Sequence, residues 1–529
     1  MIRAEINGRP VTVEPGTTIL QAAQSIGIEI PTLCFLKELE PSMSCFVCIV
    51  RIEGKANFMP SCATLIEEWM KVTTDSEEVI EARKTALELL LSDHVGDCIA
   101  PCQSACPAHI DIPKFIAHIK NGENREAIRL IRKKVAFSAV LGRICPEICE
   151  KVCRRKDLDA PVAICHLKRF PADEDLKDDS PDIPECSESS GKKVAVIGAG
   201  VAGLSAAFYL MIKGYTCTVF DKNPEPGGAV RYSISEERLP HSVLDGEIGI
   251  IKAMGCKFRM FQEWGSDFRL RDLKNEYDAV FIACGNMKNK DLVVQEGLEQ
   301  NKNGIKADSH TFETSMQSVF AGGACAHPAR AAVQAVAAGR RAAVSIDQFL
   351  RGEAIAGEHR EFTVRMHNLD ETELEKFAAH ADLSPRSIES VGKGENPGEE
   401  RKGFTQEEAI QEAERCLECE CIKVDTCRLR FKSDDYSAKP AQYRGSRRKF
   451  ERDITHPDIV YETGKCIMCG ICTKIAEQYK EELGLSFIGR GFTVKLKVPF
   501  DKTVEQGLSE AARKCAELCP TGAISFKRT

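Results

Sequence analysis

The grouping of cysteines constrains this chain more than any other feature. There are 25 in 529 residues, most of them in tight clusters. Disulfide scaffolds are small and secreted. This sequence is long enough for three to five domains, and its first sixteen residues show no basic-then-apolar leader, so the expected compartment is the cytoplasm. No window approaches the roughly 18 apolar residues of a membrane span. The net charge of −7 comes from interspersed acids and bases, and implies neither a nucleic-acid partner nor membrane insertion. Clustered cysteines in such a chain read as metal ligands. Zinc ribbons use two C-x2-C pairs. Here the groups are triplets with a distant fourth cysteine, often followed by proline, which is how cubane iron–sulfur clusters are held.

Residues 1–80 begin with two short alternating runs joined by Asn7-Gly8, a strong hairpin signal, and Thr17 or Thr18 then caps a helix carrying Leu20, Ala23 and Ile26. Cys34, Cys45, Cys48 and Cys62 follow, spaced x10, x2 and x13. Four thiolates, two in one tight loop, suit a rhombic 2Fe–2S cluster. Residues 81–175 open on an apolar helical run. They then offer His94, Cys98, Cys102 and Cys106 in one block and Cys145, Cys149 and Cys153 in a second, whose x3 spacing predicts three thiols along one helical side. Cys165 stands three residues before Lys168.

Residues 190–350 carry a nucleotide-binding signal. An apolar strand runs into Gly198, Gly200 and Gly203, a helix follows, and a second strand ends at Asp221. The glycines allow a tight turn, the helix N-terminus takes a pyrophosphate, and the acid takes a ribose hydroxyl. Gly227, Gly228, Gly322 and Gly323 complete the candidate cofactor site. Residues 351–403 read as an exposed linker with some helix, with Gly and Pro at "GKGENPGEE". Residues 404–432 hold Cys416, Cys419, Cys421 and Cys427, a set open to a cubane or to zinc. Residues 455–529 hold Cys466, Cys469 and Cys472 with Cys519-Pro520, a cubane set, and Cys515 is a spare. Cys186, Cys217, Cys256, Cys284 and Cys325 read as small packing residues. No Ser/His/Asp or paired-carboxylate constellation points to a catalytic residue.

Three resemblances attach to these motifs. "IPTLCF" and "SCFVCIV" resemble the N-terminal ferredoxin domain of the complex I large subunit and of iron-only hydrogenases. "GKCIMCGICTKIAE" and "SFIGRGFTVKLKV" are similar to a 4Fe–4S domain of that same large subunit. The middle, from "SDHVGDCIAPCQSACPAHIDIP" to "RCLECEC", resembles the glutamate synthase small subunit and the NADPH-dependent ferredoxin transhydrogenase. The resemblance implies a multidomain α/β and α+β chain. Its parts would be a β-grasp 2Fe–2S ferredoxin, a helical two-cubane domain, an FAD-type Rossmann domain and a C-terminal 4Fe–4S ferredoxin-like domain. It implies one 2Fe–2S cluster, three to four 4Fe–4S clusters and FAD.

In the family, four cysteines of the first block and three of the second are shared between two cubanes, and a Glu or Gln is the eighth ligand. Here His94 stands at the first position and Lys168 at the eighth. The sets that follow are His94, Cys98, Cys102, Cys153 and Cys106, Cys145, Cys149, Cys165. The family's NAD(P)H domain is missing, because residues 286–317 contain no second glycine fingerprint and barely match the roughly 30 residues of one βαβ unit. Ala324 replaces the Asp that follows the Gly pair, and Ser233 and Ser235 replace a Gly and a Pro near the flavin. An emptied Rossmann scaffold therefore stays open beside the FAD reading.

The implied function is an electron-transfer subunit of an anaerobic oxidoreductase complex. It would link NAD(P)H or ferredoxin to a catalytic partner of formate dehydrogenase or hydrogenase type, with electron bifurcation as an option. The implied partners are an NADH-oxidising FMN and iron–sulfur subunit resembling that of complex I, a catalytic oxidoreductase subunit, and ferredoxin. A self-sufficient NADPH-dependent oxidoreductase or transhydrogenase is one alternative. A non-catalytic assembly scaffold is the other.

Overall fold

The computed structural model describes residues 1–287, 289–366, 368–379, 384–386, 402–443, 445 and 448–527. The "GKGENPGEE" part of the 351–403 linker expected from the sequence lies outside them, but the described part is not an exposed linker: Val364, Met366, Leu374 and Phe377 are buried, and Glu371–Ala378 is helical. The chain divides into two compact units. One comprises Met1–Ala100, Glu361–His380 and Cys419–Thr529, and the other Pro101–Arg360 and Ala381–Glu418. The first unit is therefore discontinuous, entered and re-entered around the second.

The first unit opens with the expected hairpin. Ile2–Ile6 pairs antiparallel with Arg9–Val13, Ile6 opposite Arg9, and Asn7 and Gly8 both take positive φ (49° and 75°), as a two-residue turn between right-twisted strands requires. Lys71–Thr73 adds parallel to Ile2–Ile6, and Ile49–Ile52 and Met59–Pro60 complete a five-stranded sheet. The cap of helix Ile19–Ser25 is Thr18, in a reciprocal box with Gln21. Alternation along the strands and the helical stripe put Ile6, Ile19, Leu20, Ala23, Val50 and Val72 in one core. Helix Glu77–Ser92, capped by Ser76, sends buried Arg83 to the carbonyl of Ile49. Late in the chain, Arg452–Asp453, Ile459–Glu462 and Ile524–Phe526 form a three-stranded antiparallel sheet. Helices Ile471–Gln478 and Ala512–Leu518 pack beside it through Ile475, Ala512 and Ala516.

The second unit begins with short helices and then a parallel sheet. Its strand order is Val319–Ala321, Ala279–Ile282, Lys193–Ile197, Thr216–Asp221, Lys257–Met260. Helices Val201–Ile212 and Ala332–Leu350 pack on each other so closely that a Cβ on Gly339 would lie 2.0 Å from the Ala202 carbonyl oxygen. Glu247 is buried beneath helix Ser138–Ile144 and accepts the backbone N–H groups of Ala139 (2.8 Å) and Val140 (3.0 Å), so its carboxylate caps that helix. Burial pushes its carboxyl up to about 7.

The three thiols of the second block do not share a helix. Helix Ser138–Ile144 ends at Cys145, whose backbone is extended because Pro146 follows, Glu147 is left-handed, and helix Ile148–Lys151 starts anew. Among the described residues, 286–317 form only the short helix Asp291–Gln295 and the two-residue strands Gln300–Asn301 and Gly304–Ile305. Val319–Ala321 returns directly beside Ala279–Ile282 in the same sheet, with no second dinucleotide fold between them. No helix among the described residues is long and apolar enough to cross a membrane.

Candidate functional site

Four groups of thiols form, three of them in the first unit. Cys34, Cys45, Cys48 and Cys62 are all buried. Two positive-φ residues, Met43 and Phe46, turn the 43–48 loop, and Ser61 donates from its N–H (3.1 Å) and its Oγ (2.7 Å) to the Cys48 carbonyl. The thiols act as two pairs. A hydrogen bond from Cys45 pulls Cys34 below its ordinary value, and one from Cys62 does the same for Cys48. Each partner is correspondingly pushed up, and Cys34 also raises Cys48 through its charge. Two dithiols facing one another are what a two-iron rhomb needs, with two thiolates on each iron.

Cys466, Cys469 and Cys472 line a turn bent by positive-φ Met468 and Gly470 just before helix Ile471–Gln478. Cys519 caps helix Ala512–Leu518, and Thr521 Oγ1 lies 3.7 Å from its sulfur. Burial, with the other thiols adding to it, pushes Cys469 and Cys472 up, and the charge of Cys519 reaches both. Cys515 is buried and donates to the Cys472 carbonyl (3.7 Å). Cys34 acts electrostatically on Cys469, so the first two groups sense each other.

The third group was not foreseen. Cys98 and Cys427 are buried, which raises them to about 11 and about 12, and Cys421 acts on both through its charge. Cys427 also senses Cys519. Lys465, buried and ion-paired with Glu462, is the nearby cation, and Arg452 joins Glu462 at 3.0 Å. His94 lies beside Lys465. Burial first, then the Lys465 ammonium, hold its imidazole down to about 4, and its sealed Nδ1 has no hydrogen-bond partner. Nothing in the spacing of Lys465 distinguished it from a surface lysine.

In the second unit, Cys106, Cys145, Cys149 and Cys165 all act on Lys168 through their charge. The Lys168 Nζ donates to the Leu141 carbonyl (3.3 Å) and lies 3.8 Å from the Cys165 sulfur. Burial disfavours its ammonium, but the charges of Cys165, Cys145, Cys149 and Cys106 outweigh this, and it titrates above its ordinary value. A hydrogen bond with Cys165 lowers Cys145 and raises Cys165 in turn. Glu150, raised to about 7 by burial, accepts the Cys165 N–H at 2.9 Å. Cys102, Cys153 and Cys416 pack against the same core. The set His94, Cys98, Cys102, Cys153 and the tail set Cys416, Cys419, Cys421, Cys427 are thus each divided between the two units. Among the described residues no three His, Cys, Asp or Glu side chains close around a single ion. In a cubane each thiolate sits on its own iron.

The glycine site is a backbone cradle. A Cβ on Gly203 would lie 2.0 Å from the Gly198 carbonyl oxygen, and one on Gly228 would lie 2.8 Å from Gly200 Cα. Gly227 donates to the Ala199 carbonyl at 2.8 Å, which seats the second glycine pair on the first turn in front of helix Val201–Ile212. Asp221 accepts the N–H groups of Ala199 (2.7 Å) and Asn223 (2.8 Å) at the end of its strand. Gly322 and Gly323 follow the neighbouring Val319–Ala321 strand, and Ala324 brings no carboxylate there. The close backbone fits a pyrophosphate. Cys217, Cys256 and Cys325 are buried as packing residues. Cys186 and Cys284 are exposed instead, Cys186 in the irregular segment before the first strand and Cys284 just past the end of Ala279–Ile282.

Comparison with known proteins agrees with this arrangement. Residues 1–77 match the 2Fe-2S iron-sulfur cluster binding domain. Residues 71–180 match dihydropyrimidine dehydrogenase domain II, 4Fe-4S cluster. Residues 164–342 match the pyridine nucleotide-disulphide oxidoreductase domain. The NADP(+)-dependent formate dehydrogenase subunit beta of Moorella thermoacetica is 42% identical over 207 residues, 35% of this chain and 29% of that protein. The NADPH-Fe(3+) oxidoreductase subunit beta of Geobacter sulfurreducens is 39% identical over 209 residues, 39% of this chain and 30% of that protein. The NAD-dependent dihydropyrimidine dehydrogenase subunit PreT homolog of Salmonella typhi is 40% identical over 199 residues, 37% of this chain and 48% of that protein. The matched stretch thus spans less than half of each of these relatives. Within this chain a 2Fe–2S domain, a 4Fe–4S domain and an oxidoreductase Rossmann domain follow one another in that order.

Proposed function

We propose that this chain is an iron–sulfur flavoprotein electron-transfer subunit of a larger oxidoreductase. It would carry electrons between a partner that handles NAD(P)H or ferredoxin and a catalytic subunit of formate dehydrogenase or hydrogenase type. Three sets are read as cluster ligands: Cys34, Cys45, Cys48, Cys62 for 2Fe–2S, and Cys106, Cys145, Cys149, Cys165 and Cys466, Cys469, Cys472, Cys519 for cubanes. The cradle of Gly198, Gly200, Gly203, Gly227 and Gly228 is read as the FAD pyrophosphate site. When bound, such groups supply one-electron and two-electron carriers. The protein contributes buried thiols, the Lys168 and Lys465 ammoniums, and exclusion of water. The domain limits proposed with this reading are 1–80, 81–175, 190–350, 404–432 and 455–529.

The observation that carries the reading is the series of interacting thiol groups in the first unit. The charges of Cys34 and Cys519 act on Cys469, and those of Cys519 and Cys98 act on Cys427. The Cys427 sulfur lies 3.9 Å from the carbonyl of Pro520, the neighbour of Cys519, and the Cys421 N–H donates to the Cys98 carbonyl at 3.2 Å, so these groups adjoin one another. A scaffold whose clusters only brace the fold has no need of such a series.

Nicotinamide chemistry is assigned to another subunit. Hydride transfer to a flavin requires a second dinucleotide fold to hold the nicotinamide, and the described residues between Ala279–Ile282 and Val319–Ala321 hold only a short helix and a small hairpin. The test is to mix the isolated subunit anaerobically with NADH or NADPH and follow flavin and cluster absorbance. Slow or absent bleaching until a partner is added is expected. Rapid bleaching by either nucleotide alone would replace this reading with the self-sufficient reductase.

A further inference from the structure

The sets His94, Cys98, Cys102, Cys153 and Cys416, Cys419, Cys421, Cys427 are each divided between the two units. We infer that His94, Cys98, Cys421 and Cys427 together hold one 4Fe–4S cluster with three thiolates and one imidazole, and that Cys416 serves a different site. The inference deepens the electron-transfer reading and rests on it.

All four residues belong to the first unit, although Cys98 lies just before the chain leaves it and Cys421 just after the chain returns. The two arms meet directly there, since the Cys421 N–H donates to the Cys98 carbonyl at 3.2 Å. Val364, on a third segment of the same unit, accepts the Cys98 N–H at 3.2 Å and donates its own N–H to the Cys98 sulfur at 3.4 Å. Cys427 is tied to the loop after Cys519, with its sulfur 3.9 Å from the Pro520 carbonyl and Leu429 donating to the same oxygen at 3.3 Å.

Lys465 connects the imidazole to this group. A Cβ on Gly96 would lie 2.8 Å from Lys465 Cε and 3.5 Å from His94 Nε2. On the other flank, a Cβ on Gly522 would lie 2.3 Å from the Cys421 sulfur and 3.5 Å from Lys465 Cδ. His94 and Cys421 thus border the same lysine stem, and glycines clear the space at both places. The His94 Nδ1, sealed from water and unpartnered, is a buried polar atom that demands a partner. An iron would provide one.

The competing partitions each draw on both units. Cys102, Cys153 and Cys416 pack against the core of the second. A cubane closed by His94, Cys98, Cys421 and Cys427 would clip together the two ends of the chain that flank the inserted unit, the kind of long-loop closure that constrains a chain most. Exchanging one thiolate for a neutral imidazole makes the cluster one charge less negative, and imidazole ligation raises reduction potentials.

Electron spin-echo spectroscopy on the reduced full-length holoprotein, with and without ¹⁵N-histidine, tests the imidazole directly. One cubane signal with strong nitrogen coupling that responds to the label is expected, and His94→Cys should abolish the coupling while keeping the iron. Cys98→Ser and Cys421→Ser should lose that same signal, whereas Cys416→Ser should remove a different one. A full complement of iron with no histidine coupling, or Cys421→Ser and Cys416→Ser removing one common signal, overturns the assignment but leaves the electron-transfer reading intact. Wild-type protein reconstituted anaerobically yet devoid of iron would defeat both.

Discussion

The thiol group around Lys168 and the group formed by Cys466, Cys469, Cys472 and Cys519 offer the same number of sulfurs in different electrostatic settings. In the first, an ammonium buried with the thiols lies 3.8 Å from one of them and is held charged by all four. In the second, burial and the neighbouring thiols push Cys469 and Cys472 toward the protonated state, as they do Cys149 in the first, and among the described residues no buried ammonium is held between its sulfurs in the same way. A buried cation favours the more negative state of whatever binds beside it. Two sites of equal ligand count in one chain are thus set up to differ in potential, and the difference comes from a residue that replaces a ligand.

The largest expected effects separate ligand from bystander within each group. Cys165→Ala should lose or convert one cubane, costing from one iron, as a 3Fe–4S product, up to about four. Cys515→Ala, beside the second group, should cost none. Iron assay and electron paramagnetic resonance on both variants decide this, and unchanged iron in Cys165→Ala would make that sulfur a bystander. A smaller effect concerns tuning. Lys168→Met removes the cation, so the cluster at Cys106, Cys145, Cys149 and Cys165 should become harder to reduce by roughly 60 mV, a tenfold change in a one-electron equilibrium. The Cys466 group should not move in the same redox titration. Equal shifts at both groups would erase the contrast.

The smallest effect is on stability. Burial raises the folded-state Glu247 carboxyl from 4.5 to about 7. Its contribution is therefore fully present below pH ~4.5 and is lost as pH rises through about 7, a change of up to about 3 kcal/mol. Melting of the wild type relative to Glu247→Gln across this range should show the difference narrowing and then reversing toward high pH. Parallel melting curves would show that Glu247 does not titrate there.

Local signals were legible because they are enforced locally. Asn7-Gly8 makes its turn, Thr18 caps its helix, and the glycines of 198–203 form their cradle, each through contacts within a few residues or one strand–helix unit. The residues around Lys168 lie together because short helices of one unit hold their blocks. What escaped is long-range. Cys145, Cys149 and Cys153 read as one helical face until Pro146 broke the helix. Cys98 meets Cys421 only because an entire unit intervenes between two parts of the other, which cysteine spacing cannot express. Lys465 and Glu462 pair inside that unit, and their burial is set by tertiary packing alone.

Whether these cysteines conduct electrons rather than brace a fold is tested most directly by metal content combined with reductive titration. Anaerobically purified protein should contain about eighteen irons, two in a 2Fe–2S cluster and four in each of four cubanes, with no stoichiometric zinc. Reductant should bring up a separate paramagnetic signal for each cluster, all reversed on reoxidation. About fourteen irons with one zinc would make the separate site of Cys416 a zinc site rather than the fourth cubane, and clusters that resist reversible reduction would contradict electron transfer itself.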